Sequence, residues 1–162
     1  MATTTATITL ASSDISDSAI SISNTATLTT AGTDTGITET TGLSRKKFAT
    51  SSEFILLDHG LAGSQMADVT ADKSAKVYIK NINARGDGSK YVAVLINSIE
   101  IGRLYGGDFM FFPWSNDVSA TTAVDDPSGN DTDIAVQAFV ASATLEYALF
   151  HVGETLLTHT AS

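Results

Sequence analysis

Cysteine is absent from this sequence of 162 residues, and proline occurs only twice. Without cysteine the chain has no disulfide framework, no thiolate nucleophile and no thiolate metal ligand. A chain of this length buries roughly two-thirds of the surface that its unfolded form exposes, so it can fold without such cross-links. The lack of thiols suits a reducing compartment and equally suits a particle released into an oxidising medium.

Positive charge is also scarce, with 9 Lys and Arg against 18 Asp and Glu and a formal net charge of -9. Binding to a nucleic-acid duplex depends on neutralising phosphates with Lys and Arg, so nucleic acid is not expected as a partner. No apolar run approaches the ~18 residues of a membrane helix. A secretory signal would require Lys or Arg near the N-terminus, but none occurs before Arg45. We therefore expect a soluble chain that is made in a cytoplasm and has no membrane attachment.

The first 44 residues contain 14 Thr and no aromatic residue, too little bulk for a hydrophobic core of their own. Two short stretches nevertheless alternate apolar and hydroxyl-bearing side chains, which is typical of β-strands with one apolar face. The apolar positions are Ile8, Leu10, Ile20 and Ile22. We predict that residues 1–44 form an extended Ser/Thr-rich arm whose strands pair with the rest of the chain or with a neighbouring subunit, and these side chains are the candidate interface residues. A disordered tail is the alternative.

Charge is distributed unevenly along the chain. All nine basic residues lie in residues 45–103, which carry a net charge of +3, while residues 1–44 carry -4 and residues 104–162 carry -8. Opposite charges from different stretches are therefore expected to meet, within a subunit or between subunits, with a chance distribution of charge on solvated loops as the alternative. Arg45, Lys46 and Lys47 follow the arm directly, and we predict that they contact an acidic partner surface or form an ordinary solvated turn.

Alternating apolar and polar residues dominate the rest of the chain. About eight strand candidates can be counted, with the spacing expected of antiparallel all-β domains. One loosely helical window spans residues 58–73. The pairs Asn97–Ser98 and Ala141–Ser142 predict two tight hairpins. The predicted fold class is all-β, with a jelly-roll-like antiparallel β-sandwich over residues 45–162 and the extended arm over residues 1–44.

The strand candidate FMFFPW is apolar on both faces. Phe109 and Phe111 would share one face of the strand, while Met110 and Phe112 take the other. Such a strand lies centrally between two layers or at an interface. We therefore predict that Phe111, Phe112 and Trp114 contribute to a subunit contact, with core packing as the alternative.

Catalytic motifs are missing from the sequence. It has no GxxxxGK[ST] phosphate loop, no GxGxxG, no HExxH zinc helix and no GxSxG nucleophile elbow. The histidines His59, His151 and His159 are scattered along the chain. The loop from Asp125 to Asp133 offers hard oxygen ligands, but it departs from the spacing of known calcium loops and is predicted to be a solvated connection. We predict a non-enzymatic protein with no cofactor and no metal.

A tripeptide recognised by some animal adhesion receptors, RGD, occurs at Arg85, Gly86 and Asp87. It lies between two strong strand candidates. A turn in which Gly86 and Gly88 adopt positive φ accounts for these residues without an adhesion role.

The stretch from Lys76 to Gly153 resembles the small β-rich virion structural proteins of tailed bacteriophages, particularly marine and cyanobacterial ones. In those proteins a strand ending in a Gly-containing turn, here LYGGD, leads into an aromatic strand, here FMFFPW. The chain then closes with an EY-containing strand, here LEYALF. The resemblance covers about half the chain and is one of strands and turns. It implies a particle component but no particular binding residues, and residues 1–60 match none of its motifs.

The role that the resemblance implies is a capsid decoration or cement subunit in the virion, assembled in the host cytoplasm. We expect a homo-oligomer, for example a trimer, that binds the major capsid protein or other virion subunits. One alternative is a structural subunit of the tail, neck or fibre base. Another is a carbohydrate- or cell-surface-binding sandwich, with Tyr105, Trp114 and Tyr147 as stacking groups.

Overall fold

The computed structural model of the chain describes residues 4–13, 19–29, 37, 39–51, 53–57, 74–96, 98–115 and 134–151. Within these ranges the protein is all-β and has no helix, which confirms the predicted class; the helical window at residues 58–73 lies outside them. The strands are β1 (Thr5–Ser12), β2 (Ile20–Thr27), β3 (Glu39–Thr40), β4 (Ser44–Lys47), β5 (Glu53–Leu57), β6 (Ser74–Asn81), β7 (Val92–Ile96), β8 (Ile99–Leu104), β9 (Phe109–Ser115), β10 (Ile134–Ala138) and β11 (Thr144–His151).

The strands form one isolated pair and two larger antiparallel sheets. Among the described strands, β1 and β2 pair only with each other. One larger sheet has the order β5-β10-β7-β8, and the other has the order β4-β11-β6-β9. The short β3 also pairs with β11, beyond β4, although the sequence analysis assigned its residues to the arm. Among β4 to β11, only the β7–β8 hairpin joins neighbours within one sheet, and every other connection crosses between the sheets. That hairpin is the predicted one; Ser98 has φ 59°, and Asn97 lies outside the described residues.

The turn at Ala141 and Ser142 is present, but the hairpin predicted there is wrong. Ser142 has φ 75°, yet β10 pairs with β5 and β7 while β11 pairs with β4 and β6. The backbone of Phe48 holds the turn, because its N–H donates to the Ala143 carbonyl at 2.9 Å and its carbonyl accepts from the Ser142 N–H at 2.7 Å. The crossing lets the apolar faces of both strands enter one shared core.

The two larger sheets share one hydrophobic core, and a smaller cluster of Ala93, Leu95 and Ala135 is buried on the other face of the β5-β10-β7-β8 sheet. The fully buried members of the shared core include Leu56, Val77, Ile79, Val92, Val94, Ile134, Val136, Leu145 and Leu149. The alternation predicted in β6 is confirmed, because Val77 and Ile79 face inward. Burial of each aliphatic side chain of this size contributes roughly 1.5–3 kcal/mol, so this core is the main source of stability.

Asn81, the last residue of β6, lies on the same inward face as Val77 and Ile79 and is fully buried at one end of the core. Its side-chain amide donates to the carbonyl oxygens of Lys90 at 2.7 Å and Leu104 at 2.8 Å, which lie at the ends of β7 and β8 in the other sheet. Its Oδ1 accepts from the backbone N–H of Asn83 at 3.0 Å and from the Asn83 side chain at 2.6 Å. The amide thus uses both donors and both acceptor sites, and it joins the two sheets.

Two further contacts close this end of the molecule. Asn83 donates to the Thr144 carbonyl and accepts from the Thr144 N–H, each at 3.2 Å, which ties the loop after β6 to the start of β11. Gly106, in the turn between β8 and β9, is buried, and a Cβ there would overlap the backbone carbonyl of Ala84. The LYGGD turn therefore packs directly against the loop after β6, and only glycine fits at this approach.

Replacement of Asn81 by Ala is expected to destabilise the protein by at least ~3 kcal/mol, because four hydrogen bonds are lost and buried carbonyls lose their donors. Asn81→Asp should behave similarly, since a carboxylate cannot donate to those carbonyls. Urea unfolding followed by circular dichroism measures the change. The control is Asn24→Ala, at an exposed position of β2, which should stay within ~0.5 kcal/mol. Equal midpoints for the Asn81 and Asn24 variants would show that the Asn81 cluster does not join the sheets.

Candidate functional site

The β1–β2 hairpin carries the four apolar side chains predicted to form an interface. The register places Leu10 opposite Ile22, and Ile8 and Ile20 fall on the same face. The exposed fractions of Ile8, Leu10, Ile20 and Ile22 are 47%, 57%, 37% and 55%. In water these side chains forgo the ~1.5–3 kcal/mol that burial of each would contribute, so this aliphatic face is suited to a partner.

The opposite face of the hairpin is a row of hydroxyl groups. The Thr7 and Thr25 hydroxyls are 2.8 Å apart, and those of Thr9 and Ser23 are 3.4 Å apart. Such cross-strand pairs stabilise the pairing of β1 with β2. The sequence predicted both strands correctly, and in the structure they pair with each other; further pairing with a neighbouring subunit stays a prediction.

The edges of the hairpin lack the devices that usually protect an exposed strand. Within the described ranges, neither β1 nor β2 has a second partner strand. Residues 4–13 and 19–29 contain no charged residue and no proline, the two commonest means of blunting an edge. A two-stranded hairpin is marginally stable alone, so this one gains stability from whatever covers it.

The three basic residues after the arm, Arg45, Lys46 and Lys47, belong to the strand β4, which pairs with β11. Their side chains do not form one exposed basic patch. The Arg45 guanidinium donates to Glu146 Oε2 at 2.9 and 3.0 Å. The Lys46 ammonium lies 4.5 Å from the centre of the Phe54 ring, and Lys47 is exposed. Two of the three predicted interface cations therefore have partners in their own chain. The Arg45 contact is one of the predicted meetings between the middle stretch and the acidic C-terminal stretch, and it occurs within the subunit.

Glu146 is a buried carboxylate on the outer face of the β4-β11-β6-β9 sheet, with 8% of the residue exposed. The Tyr78 hydroxyl donates to its Oε1 at 3.5 Å. Burial first, and then the Glu146 charge and this hydrogen bond, raise the pKa of Tyr78. Burial lowers the pKa of Lys76 on the same face. The centre of this face is therefore occupied by an ion pair that the chain completes itself.

The aromatic strand β9 places its side chains on two faces as predicted. Met110 and Phe112 pack on the shared core, while Phe109 and Phe111 lie on the outer face, with Phe109 56% exposed. For Phe112 the alternative of core packing holds, and Phe111 is half-buried. The Trp114 side chain lies outside the described part of the structure, so its interface role stays a prediction.

The RGD tripeptide lies in a turn closed by its own carboxylate. Gly86 has φ 89° as predicted, but Gly88 does not have the positive φ predicted for it. Asp87 accepts from the Ser89 hydroxyl at 2.6 Å and pairs with Lys90 at 3.4 Å. The Ser89 hydrogen bond is the main cause that lowers the Asp87 pKa. This carboxylate is engaged in forming the turn.

The predicted sugar-stacking residues need one correction. Tyr147 is only 6% exposed and belongs to the core, so it cannot stack on a ligand. Tyr105 is 46% exposed, and its ring centre lies 5.8 Å from that of Tyr91. Tyr91 in turn stacks on Phe139 at 4.9 Å. The sequence does not reveal this pair, because only the pairing of β7 with β10 brings residues 91 and 139 together; the one available signal is an outward-facing Phe at position 139.

Within the described residues, no group of three or more His, Cys, Asp or Glu side chains could hold a metal ion. The loop from Asp125 to Asp133, His59 and His159 lie outside those residues, as does the side chain of His151. Nor does the described part contain a helix long and apolar enough to cross a membrane.

Comparison of the chain with protein-family models, curated proteins and solved structures finds no significant match. The resemblance to phage virion proteins therefore rests on the strands and turns quoted above. The surface chemistry of the described residues supplies the functional evidence.

Replacement of Arg45 by Ala is expected to destabilise the protein by about 1–2 kcal/mol. It leaves the Glu146 side chain, which is 11% exposed, without its cation, while the 67% exposure of the Arg45 side chain limits the loss. Urea unfolding measures the change. Lys90→Ala is the control, because Lys90 and Asp87 are 37% and 38% exposed, and it should leave the midpoint unchanged. Equal shifts for both variants would contradict a special role for the buried carboxylate.

Proposed function

We propose that this chain is a non-enzymatic structural subunit of a phage virion, a capsid decoration or cement protein that works as a homo-oligomer. The strand order supports a jelly-roll sandwich for the larger part of the chain. Counted from β4, one sheet holds the first, eighth, third and sixth strands, and the other holds the second, seventh, fourth and fifth. Double-sheet jelly rolls of eight strands build viral capsid and lectin domains, and this analogy adds to the resemblance over Lys76 to Gly153.

The observation that carries the proposal is the β1–β2 hairpin. It combines an exposed aliphatic face, two strands without a charged residue and, within the described residues, two strand edges that have no second partner strand. The larger sheets, by contrast, bury their apolar faces against each other. A subunit that clamps a shell needs a rigid body and an attachment segment, and these two parts of the chain meet those two needs.

The hairpin would attach in two ways at once. Its aliphatic face would pack on an apolar area of the next subunit, and an outer edge would extend a neighbouring sheet by strand addition. If each copy presents its hairpin to the next copy, the contact is head-to-tail, and three copies can close into a ring. The major capsid protein or another virion subunit would supply the remaining contact.

The hairpin variant Leu10→Thr with Ile22→Thr is expected to convert the proposed trimer into a monomer of 16.9 kDa. Thr keeps the strand propensity of both positions and removes most of their aliphatic surface. Size-exclusion chromatography with light scattering measures the mass. The control, Thr7→Ser with Thr25→Ser, keeps the hydroxyl pair on the other face and should leave the oligomer intact. A wild-type chain that is monomeric at every concentration would contradict the proposed oligomer.

The position on the particle is tested separately, by electron microscopy of purified virions labelled with antibody to this chain. Label over the shell is expected for a decoration or cement subunit. Label confined to the neck, tail or fibre base would favour a structural subunit of that part of the particle over a decoration or cement subunit. Unlabelled particles would overturn the virion role.

A further inference from the structure

The outer face of the β5-β10-β7-β8 sheet holds a cleft that the hairpin and the shared core do not use. Its volume is about 250 Å³, and it is lined by Ser51, Tyr91, Ala93, Glu100, Gln137 and Phe139. Clefts for drug-sized ligands occupy about 300–1,000 Å³, so this one suits a single small ring. We propose that it binds a neutral hexose residue of a polysaccharide or glycan.

An ordered aromatic ring forms one wall of the cleft. Phe139 is 57% exposed and stacks on Tyr91 with ring centres 4.9 Å apart and planes 17° apart. Its backbone N–H also donates to the Tyr91 carbonyl at 3.3 Å. The Arg103 guanidinium lies 4.6 Å from the centre of the Tyr91 ring. The exposed ring is therefore held in place before a ligand arrives, which reduces the ordering that binding requires.

Two planar acceptor groups face the same cleft. Gln137 donates from Nε2 to the Ser51 carbonyl at 2.9 Å, which orients the amide and leaves Oε1 as an acceptor. Glu100 accepts from Arg103 Nε at 2.5 Å and Nη2 at 3.3 Å, and a carboxylate has further lone pairs for hydroxyl donors. The hydrogen bond to Glu100 is also the first cause that raises the pKa of Arg103.

This combination selects a neutral sugar ring. The C–H face of a hexose can stack on the negative face of an aromatic ring, while its hydroxyls donate to fixed acceptors. The Glu100–Arg103 pair has no net charge, so neither an anionic nor a cationic ligand is favoured. An apolar peptide would leave the Glu100 and Gln137 oxygens desolvated without donors, which is unfavourable.

The test is native affinity electrophoresis in gels containing dextran, laminarin or galactomannan, with alginate as a charged comparison. The wild-type chain should be retarded in at least one neutral gel. Phe139→Ala should weaken that binding about tenfold, and Phe139→Tyr should retain it because the ring remains. The matched control is Phe109→Ala, since Phe109 is 56% exposed on the other sheet and should bind like wild type.

Several results would overturn the sugar site. These are the absence of retardation in all neutral gels, retardation in alginate alone, and equal loss in the Phe139→Ala and Phe109→Ala variants. A Phe139→Ala variant with altered oligomer mass and unchanged retardation would show that the cleft is a subunit contact instead. The inference does not depend on the virion role, because none of these measurements involves the hairpin or a particle.

Discussion

The hydrogen bonds of one buried amide, Asn81, fix how the two large sheets meet. A core of aliphatic side chains favours burial but gives little direction, because dispersion and hydrophobic contacts tolerate sliding of one sheet over the other. The Asn81 amide instead requires four partners at defined angles, and it finds them on the ends of β7 and β8 and on Asn83. A shift of the sheets would leave buried polar groups unpaired, so the cluster selects one alignment.

The same amide positions the surface residues of the cleft. Its two donors hold the carbonyls of Lys90 and Leu104, which immediately precede Tyr91 and Tyr105. The rings of these tyrosines consequently lie 5.8 Å apart on the outer face, where Tyr91 supports Phe139. A buried polar contact at the sheet joint is therefore connected, through two adjacent backbone positions, to the geometry of an exposed aromatic wall.

Local patterns in the sequence were sufficient for strands but not for their partners. Alternation predicted β1, β2, β6 and the two faces of β9 correctly, because these patterns report which side of a strand is buried. The prediction that β10 and β11 pair as a hairpin was wrong. A tight turn shows only that the chain reverses direction, and such a turn can either join two strands of one sheet or carry the chain to the other sheet. β5 carries no clear alternation, and β4 is the basic triplet, so neither was predicted as a strand. Asn81 follows Val77 and Ile79 on the inward face of β6, which the sequence shows, but two of its partners, the carbonyls of Lys90 and Leu104, belong to the β7–β8 part of the other sheet, which the sequence does not place next to it.

The contrast between the body and the hairpin bears most directly on assembly. In the body, the Asn81 side chain is fully hydrogen-bonded, Glu146 pairs with Arg45, and the inner faces of the two sheets cover each other, although Phe109 and Phe139 remain exposed on the outer faces. Among the described residues, the hairpin leaves four aliphatic side chains exposed and two strand edges without a further partner strand, and its two strands carry no charged residue to keep other strands away. A ligand that binds only the ordered hairpin stabilises it in proportion to the logarithm of its concentration. On the proposed shell, neighbouring copies would be present at a high effective concentration, and a hairpin that is marginal on a free chain would become a stable contact there.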